Sequence, residues 1–582
     1  MDLYLSGKKV RVTDADLLGE GGEARVYKHG ASALKIFHTP DDQKLQKLAQ
    51  FPRGLPAAVK APDELVFDRL GKPIGYRMPL VPGAVDFGRL ANRKWRTGVI
   101  SNAALSSVFS ELHAIVRELH AAKVIVGDFN DGNVLLDRVH PVLIDADSMQ
   151  FGGFPCPVGH ERFLDPKLYG VDLSKTPKFD EGSDWYAWSV LFFQSLLSVH
   201  PFGGTHTRLP TLLRRAEARH SVLQSDVLIP RLAVAPKVLP DDLLHWFHAV
   251  FEKDARQEFP LGLLQLTWTK CACGVEHARA VCPECRTLGP LVTRPMIRSK
   301  GRCTARTAFE TSGRILASAM QGGLRYLAEE NGVLRREDGT VISTQLSGSH
   351  LRVELAGPIT WLADGDGHLE KWNGDRLVER TQTATRQGWP VLATSSSHAW
   401  RQSQEWIIEH ESGARVGQVL EGQTWLWSGD RLGLGFYRAG GLTVPFLLRV
   451  GRAGLKQLDG ITWKGRVIDA SCAFDAKHAL LTVVVDDGGR DVVHRWLISE
   501  DGKILGHSGD SARGYGAVLG GRVVIATDAG LVAMKCDSGV LIEAMQFPDT
   551  QPFVSAGDEL LPNTDGSLFV VGARDITQLT LT

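Results

Sequence analysis

Two textures of hydrophobic and polar positions divide the chain. Up to about residue 260, strand-like runs alternate with helical periodicity. Residues 10–36 read as strand, glycine turn, strand and strand. Residues 64–81 (ELVFDRLGKPIGYRMPLV) read as a hairpin around Gly71-Lys72-Pro73. A short helix is expected from Asp41 to Gln50, and a longer one from Asn102 to Ala122. In the latter, Leu105, Val108, Leu112, Ile115, Val116 and Leu119 recur at helical spacing. The longest apolar stretch, Trp185 to Val199, is shorter than the ~20 residues that cross a bilayer and predicts a buried core helix.

After residue 306 the helical patterns vanish. Short strand-like runs recur, separated by Asp-Gly, Asn-Gly and Gly-Gly turns. The clearest begin near residues 324, 359, 399, 424, 479, 522 and 567. Their mean interval is roughly 40 residues, the length of a four-stranded propeller blade. The repeat is irregular and lacks a strict Trp-Asp signature. It predicts a divergent β-propeller of six or seven blades, with a pair of β-sandwiches as the alternative. Trp361, Trp372, Trp400, Trp406, Trp425, Trp427, Trp463 and Trp496 are expected mostly to pack blades.

Composition narrows the class. A chain of 582 residues is too long for one core, and ~150 residues per domain suggests three or four units. With 43% hydrophobic and 23% charged residues it is ordinary globular material. A formal net charge of zero advertises neither nucleic acid nor an acidic membrane surface as partner. The N-terminal MDLYLSGKKVRV holds no apolar run of signal-peptide length, so a cytoplasmic protein is expected. Four of the eight cysteines fall within fifteen residues, which points to metal and not to a disulfide framework.

The candidate chemistry lies in the first 260 residues. Gly19, Gly21 and Gly22, followed by Val26, form a glycine-rich turn through which backbone amides can approach phosphates; glycine turns between strands are also common. Lys35, in Ala33-Leu34-Lys35-Ile36, follows at the distance of the next strands and can neutralise α/β-phosphates. Taken alone, it reads as an edge-strand lysine. In Val126-Gly127-Asp128-Phe129-Asn130-Asp131-Gly132-Asn133, Asp128 and Asn133 have the D-x-x-x-x-N spacing of a kinase catalytic loop. The aspartate orients a hydroxyl and accepts its proton, and the asparagine oxygen binds Mg²⁺. Asp131 reads as a turn residue. Asp145 ends the apolar strand Val142-Leu143-Ile144 nine residues past Leu136, where a carboxylate can reach the metal. Asp147 either holds a second metal or caps the following turn. Asp184 opens the apolar helix, as an N-cap or as an acceptor of catalytic-loop hydrogen bonds.

With five elements in this order, residues 10–260 resemble the protein-kinase superfamily. The phrases GDFNDGN and LIDADS resemble a bacterial group of divergent Ser/Thr kinases. Some of these are encoded with a von Willebrand A-domain protein and a PP2C-type phosphatase, in the phosphorylation triad linked to tellurium resistance, and carry a zinc ribbon after the kinase domain. The resemblance implies ATP and Mg²⁺ as cofactors and those two proteins as partners. Together with the cysteine cluster and the repeat of roughly 40 residues, it makes the chain multidomain: a bilobal α+β kinase-like fold over 1–265, a zinc ribbon over 268–290, a linker over 291–306 and an all-β propeller of six or seven blades over 307–582.

Several positions depart from the kinase pattern. Val126-Gly127 replaces the usual His-Arg, which removes the arginine that pairs with a phosphorylated activation loop. The A-P-E segment resembles Asp165-Pro166-Lys167, and Lys167 cannot make the ion pair a glutamate makes there. Cys156 and His160 read as loop residues. Between Lys35 and Pro62 there is no glutamate to pair with the lysine; Asp42, Gln43 and Gln46 are the substitutes the helix offers.

Cys271-Ala-Cys273 and Cys282-Pro-Glu-Cys285, eight residues apart, can point four thiolates at one tetrahedral Zn²⁺, closing the shell of a structural site. Iron is a further option and His277 an alternative ligand. Arg294, Arg298, Lys300, Arg302 and Arg306 make the linker basic. Cys303, Cys472 and Cys536 read as apolar fillers. Three functions fit these residues. The first is an active Ser/Thr kinase with the propeller as docking platform. The second is a pseudokinase scaffold that binds nucleotide. The third is a small-molecule phosphotransferase.

Overall fold

A computed structural model describes the chain apart from residues 14–15, 21–22, 97–98, 273–274, 284–302, 347–349, 440–441, 488, 511–513 and 582. Strand accounts for 41% of the residues and helix for 17%, so the chain is mostly β. It divides into two compact units. The first comprises Met1–Val12, Leu18–Pro295 and Gly488–Arg490, and the second Thr13–Leu17, Met296–Asp487 and Asp491–Thr582.

The first unit opens with a seven-stranded sheet. Its strands are β1 (Asp2–Leu5), β2 (Lys8–Arg11), β3 (Leu17–Glu20), β4 (Ala24–His29), β5 (Ser32–Phe37), β6 (Glu64–Phe67) and β7 (Pro73–Pro79). Their order is β2-β1-β6-β7-β5-β4-β3. Gly30, at φ +60°, makes the two-residue turn between β4 and β5, where an L side chain would be strained. β6 and β7 form the expected hairpin. β7 also pairs with β5, and that register sets Tyr76 opposite Lys35. Helix α1 (Asp42–Ala49) starts at Asp41, whose carboxylate accepts the Lys44 N–H at 2.7 Å. Leu48 of α1 joins Ala24, Ala33, Phe37, Tyr76 and Met78 in a small core of its own.

The rest of this unit is largely helical. It contains β8 (Val85–Asp86), α2 (Arg93–Arg96), α3 (Asn102–Ala121), β9 (Val124–Ile125), β10 (Val134–Asp137), β11 (His140–Leu143) and β12 (Gln150–Phe151). Helices α4 (Glu181–Leu197), α5 (Leu212–Glu217) and α6 (Asp241–Glu252) follow. α4 is the apolar stretch singled out by the pattern. It is apolar on every side and buried almost throughout. Trp188 meets Phe109 of α3 edge-on at 5.3 Å and Phe259 at 4.5 Å. Such pairs each contribute about 1 kcal/mol beyond their area. No helix among the described residues is long and apolar enough to cross a membrane.

The second unit is a succession of antiparallel four-strand meanders. They span residues 314–342, 352–382, 392–418, 424–457, 466–510 and 516–547. The last two join through one parallel contact, His507 beside Val540. A further sheet is built from both ends of the region: Cys303–Glu310 pairs with Asp575–Leu581, beside Leu568–Val571 and Glu559–Pro562. Strand structure therefore begins at Cys303, inside the expected linker, and Arg306 is a strand residue opposite Gln578. Six of the seven runs picked out by pattern each lie in a different meander, and the seventh lies in this further sheet. The first strands touch in order: Arg314–Met320, Arg352–Ala356, Leu392–Thr394, Thr424–Ser428, Arg466–Phe474, Gly516–Leu519 and Glu559–Pro562, which returns to Arg314–Met320. Of the eight tryptophans expected mostly to pack blades, Trp361, Trp372, Trp400 and Trp496 are buried, whereas Trp406, Trp425, Trp427 and Trp463 are half-buried. Cys303 is also buried, but Cys536 is exposed and is not the filler expected.

One buried titratable group gives the first unit a pH dependence. The His200 ring touches the Arg162 carbonyl at 2.6 Å through Nε2, and its Nδ1 accepts the Phe202 N–H at 3.1 Å. Burial, with the positive charge of Arg162, pulls its pKa down to about 3. The folded state thus holds a neutral ring that the unfolded chain would protonate below pH ~6.5. His200 therefore contributes stability above that pH, and the contribution drains away on acidification. Between pH 7 and 5 the expected loss is about 2 kcal/mol. Chemical unfolding at the two pH values should show it, and His200→Gln should flatten the difference.

Candidate functional site

The loop between β9 and β10 is held from below by one carboxylate. Asp184, without solvent exposure, accepts the Val126 N–H at 2.8 Å and the Gly127 N–H at 2.9 Å. His120 Nε2 of α3 lies 2.9 Å from its other lone pairs. The helix cap is supplied elsewhere: Asp180 and Ser183 form the capping box of α4. Of the two roles open to Asp184, the loop-holding one is therefore the one it fills. Gly127 sits at φ +74°, and a Cβ there would come within 2.8 Å of Cys156. An arginine has no room at that position, which accounts for the Val-Gly pair. Burial pushes the Cys156 thiol up to about 12, so it is no nucleophile.

Within the loop, Asp128 is fixed by three donors. Asn130 Nδ2 and the His160 N–H each meet Oδ1 at 2.9 Å, and Asn133 Nδ2 meets Oδ2 at 3.0 Å. Asn133 Nδ2 also reaches the Asp128 carbonyl at 2.9 Å. Its amide nitrogen is thus committed to Asp128, and its oxygen is the atom left to meet a cation. Asn130, and not Asp131, makes the turn by accepting the Gly132 and Asn133 N–H groups at 2.8 and 3.1 Å. Asp131 instead takes a long contact of 3.4 Å from Gln194 of α4.

Asp145 follows β11 in the left-handed region, at φ 60°. Aspartate tolerates this conformation better than most residues. The Ser148 hydroxyl locks it by donating to the Asp145 carbonyl at 2.9 Å. The Asp145 carboxylate meets Lys35 Nζ, and Asp128 is close enough for its charge to act on it. Lys35, Asp128, Asn133 and Asp145 are therefore gathered from β5, the β9–β10 loop and the end of β11. Val26 lies opposite Lys35 in the β4–β5 ladder. Gly19 ends in open space, where a Cβ would meet nothing within 4 Å, so packing does not demand a glycine there. Gly21 and Gly22 lie outside the described residues.

Sequence reasoning left the second lysine partner open. Asp147 Oδ1 lies 2.8 Å from Lys35 Nζ and accepts the Tyr76 hydroxyl at 2.5 Å. Burial alone would lower the Lys35 pKa, but the charges of Asp145 and Asp147 outweigh it and hold the ammonium above its ordinary value. Burial likewise pushes Asp147 up, and the Lys35 charge and hydrogen bonds bring it below the ordinary carboxylate value. Both groups are charged at neutral pH. The helix candidates Gln43 and Gln46 make no hydrogen bond to Lys35. Instead α1 sends Lys47 to the carbonyls of Ser148 and Pro155, at 3.0 and 2.9 Å. Nothing in the local pattern marks Tyr76 or Lys47, since both roles arise from non-sequential neighbours.

The doubt about the Asp165-Pro166-Lys167 segment is resolved by a different acid. Asp165, buried, forms a two-point pair with Arg256 at 2.5 and 2.8 Å, and the guanidinium lies 4.6 Å above the Tyr186 ring. The anchor exists, with Asp165 in place of residue 167.

Of the predicted zinc ligands, Cys271 and Cys282 come together with His277, each offering one ligand atom within 4.8 Å of the others. Cys273 and Cys285 lie outside the described residues. Two thiolates suit the donor preference of zinc, while His277 accepts the Arg279 N–H on Nδ1 at 3.3 Å. His206, His220 and Asp226 form another grouping. There, His206 Nδ1 accepts the N–H groups of Arg208 and Leu209, so its Nε2 carries the proton shared with Asp226 and lacks a lone pair for metal. No family model matches the chain.

Replacing Asp184 by alanine strands two buried N–H groups and a buried imidazole. The expected cost is roughly 2–4 kcal/mol of stability. Urea unfolding followed by tryptophan fluorescence measures it.

Proposed function

We propose that the first unit is a protein-kinase-like phosphotransferase that moves the γ-phosphoryl group of ATP to a Ser/Thr hydroxyl of a protein partner. The observation that carries this reading is the gathering of Lys35, Asp145 and the Asp128–Asn133 pair at one place from three separate segments. In this reading Asp128, held by Asn130, His160 and Asn133, orients the acceptor hydroxyl and takes its proton. Lys35 neutralises the α/β-phosphates. Asp145 and the Asn133 oxygen hold Mg²⁺, which supplies charge neutralisation at the phosphates when bound. The separate cores of the β-sheet and of the α3–α4 region support a two-lobed arrangement of this unit.

For the second unit, the ring of first-strand contacts and the sheet shared by both ends support a seven-bladed propeller. Its role as a docking and regulatory platform rests on architecture alone. A zinc ribbon over 268–290, with the short ladder β13 (Thr269–Lys270) and β14 (Glu276–His277), rests on the cysteine spacing and on the Cys271–His277–Cys282 grouping.

A second reading, a nucleotide-binding scaffold without transfer, is favoured by one observation: no carboxylate reaches Lys35 from α1. Transfer of radiolabelled γ-phosphate, with autophosphorylation and a von Willebrand A-domain protein as acceptors, separates the two. Transfer should occur with ATP and Mg²⁺ and fall by roughly 10²–10⁴ in Asp128→Ala. Asp145→Ala should abolish the magnesium-dependent transfer. Transfer that persists in both variants refutes the site, and ATP binding without transfer in the wild type selects the scaffold. Metal analysis should find about one zinc per chain, lost in Cys282→Ser.

A further inference from the structure

An ammonium group buried beside a nucleotide site needs an anion that stays with it. In this chain the residues between Lys35 and Pro62 include no glutamate, and α1 offers Lys35 no hydrogen bond. Lys35 has two carboxylate partners, and they differ in kind. The Asp145 side chain keeps 38% of its exposure, so a cation can reach it. Asp147 keeps 7% and Lys35 also 7%. Asp147 is thus sealed with the lysine, on the side away from solvent.

Asp147 is also tied into the scaffold from two directions. Tyr76, fully buried, sits opposite Lys35 in the β5–β7 ladder and donates its hydroxyl to the same Oδ1 that meets the ammonium. Lys47 of α1 grips the chain at Ser148, one residue further on. The carboxylate therefore arrives from the turn after Asp145, and the helix contributes a cation that holds this turn. Relative to a helix carboxylate on the lysine, the polarity of the link is reversed.

We propose that Asp147 is the positioning residue for Lys35, holding the ammonium in place while Asp145 turns from the lysine to a divalent cation. This inference deepens the phosphotransfer reading and rests on it. Asp147 touches neither nucleotide nor acceptor; it acts through Lys35, with Tyr76 fixing its oxygen. Asp145, at φ 60°, and Asp147, two residues on, both meet Lys35 Nζ and differ in their exposure.

A double-mutant cycle on ATP–Mg²⁺ affinity tests this, because binding can be read whether or not transfer occurs. Asp147→Asn, which keeps the shape and removes the charge, should weaken nucleotide binding at least ten-fold. Lys35→Met should do likewise, and the double variant should be no worse than Lys35→Met alone. Effects that multiply would overturn the proposal, since Asp147 would then act independently of Lys35. A second readout needs no nucleotide: the rate at which Lys35 is acylated at one fixed pH, followed by mass spectrometry, which reports how firmly its enclosed side chain is held. It should rise in Asp147→Asn, and also in Tyr76→Phe, which covers the case of an Asp147 variant that does not fold. An unchanged rate in both overturns the positioning role. A raised rate with no nucleotide binding in the wild type would instead sink the phosphotransfer reading and leave the lysine–aspartate pairing standing.

Discussion

A carboxylate with no access to solvent, at the start of the most deeply buried helix in the chain, sets the position of the loop that carries Asp128 and Asn133. Asp184 accepts two successive backbone N–H groups from that loop, and its helix is held in place by Phe109, Phe247 and Phe259, which pack against Trp188, Phe193 and Phe192 of α4. A charge in such a place is tolerable only when every lone pair is engaged. The requirement works in both directions. The loop needs the carboxylate to satisfy its amides, and the carboxylate needs the loop's N–H groups to satisfy its oxygens in the core. Gly127 completes the arrangement, because only a residue without a side chain fits between Asp184 and Cys156.

The second cluster of buried charge obeys the same rule with a different outcome. Lys35 faces two acids, of which Asp147 is enclosed and Asp145 half open. An enclosed pair with an additional tyrosine donor is a fixed object. A half-open acid on a left-handed turn is the one that can exchange its partner. On the proposed reading these two acids divide two jobs, holding the lysine and meeting a cation, that a single aspartate could not perform at once. Asp165 and Arg256 repeat the theme further along, where a two-point pair stacked on Tyr186 anchors the segment that follows.

Much of this was legible in the residue pattern. The helix around Leu105–Leu119 follows from apolar periodicity, the one at Trp185–Val199 from the length of its apolar stretch, and the hairpin at Gly71 from its turn residues. Six of the seven strand-like runs after residue 306 belong to separate meanders and the seventh to the sheet built from both ends, since turn dipeptides interrupt the chain at regular intervals. Lys35, Asp128, Asn133 and Asp145 were legible as a group from their order and spacing, and they do come together in space. Other parts were not. Asp147 looked like a metal ligand or a turn cap, because nothing local distinguishes those roles from a buried lysine partner. Tyr76 and Lys47 carried no signal at all. Residue 167 was taken as the failed anchor, whereas the carboxylate two positions earlier makes the pair.

What the sequence by itself determined is the local part: where strands and helices begin, which turns need glycine, and which acids and bases lie at chemically meaningful intervals. These depend on short-range sterics and on hydrophobic periodicity, both readable from a few adjacent residues. Only the tertiary structure decided the pairings. β7 inserts beside β5 and brings Tyr76 to Lys35; α4 rises under the β9–β10 loop and brings Asp184 to Val126 and Gly127; Cys303 begins a strand because the C-terminal segment Asp575–Leu581 returns to meet it. Each joins residues tens to hundreds of positions apart. Such contacts are chosen by the burial of whole elements and by the need to satisfy every enclosed charge, which no local window of sequence contains.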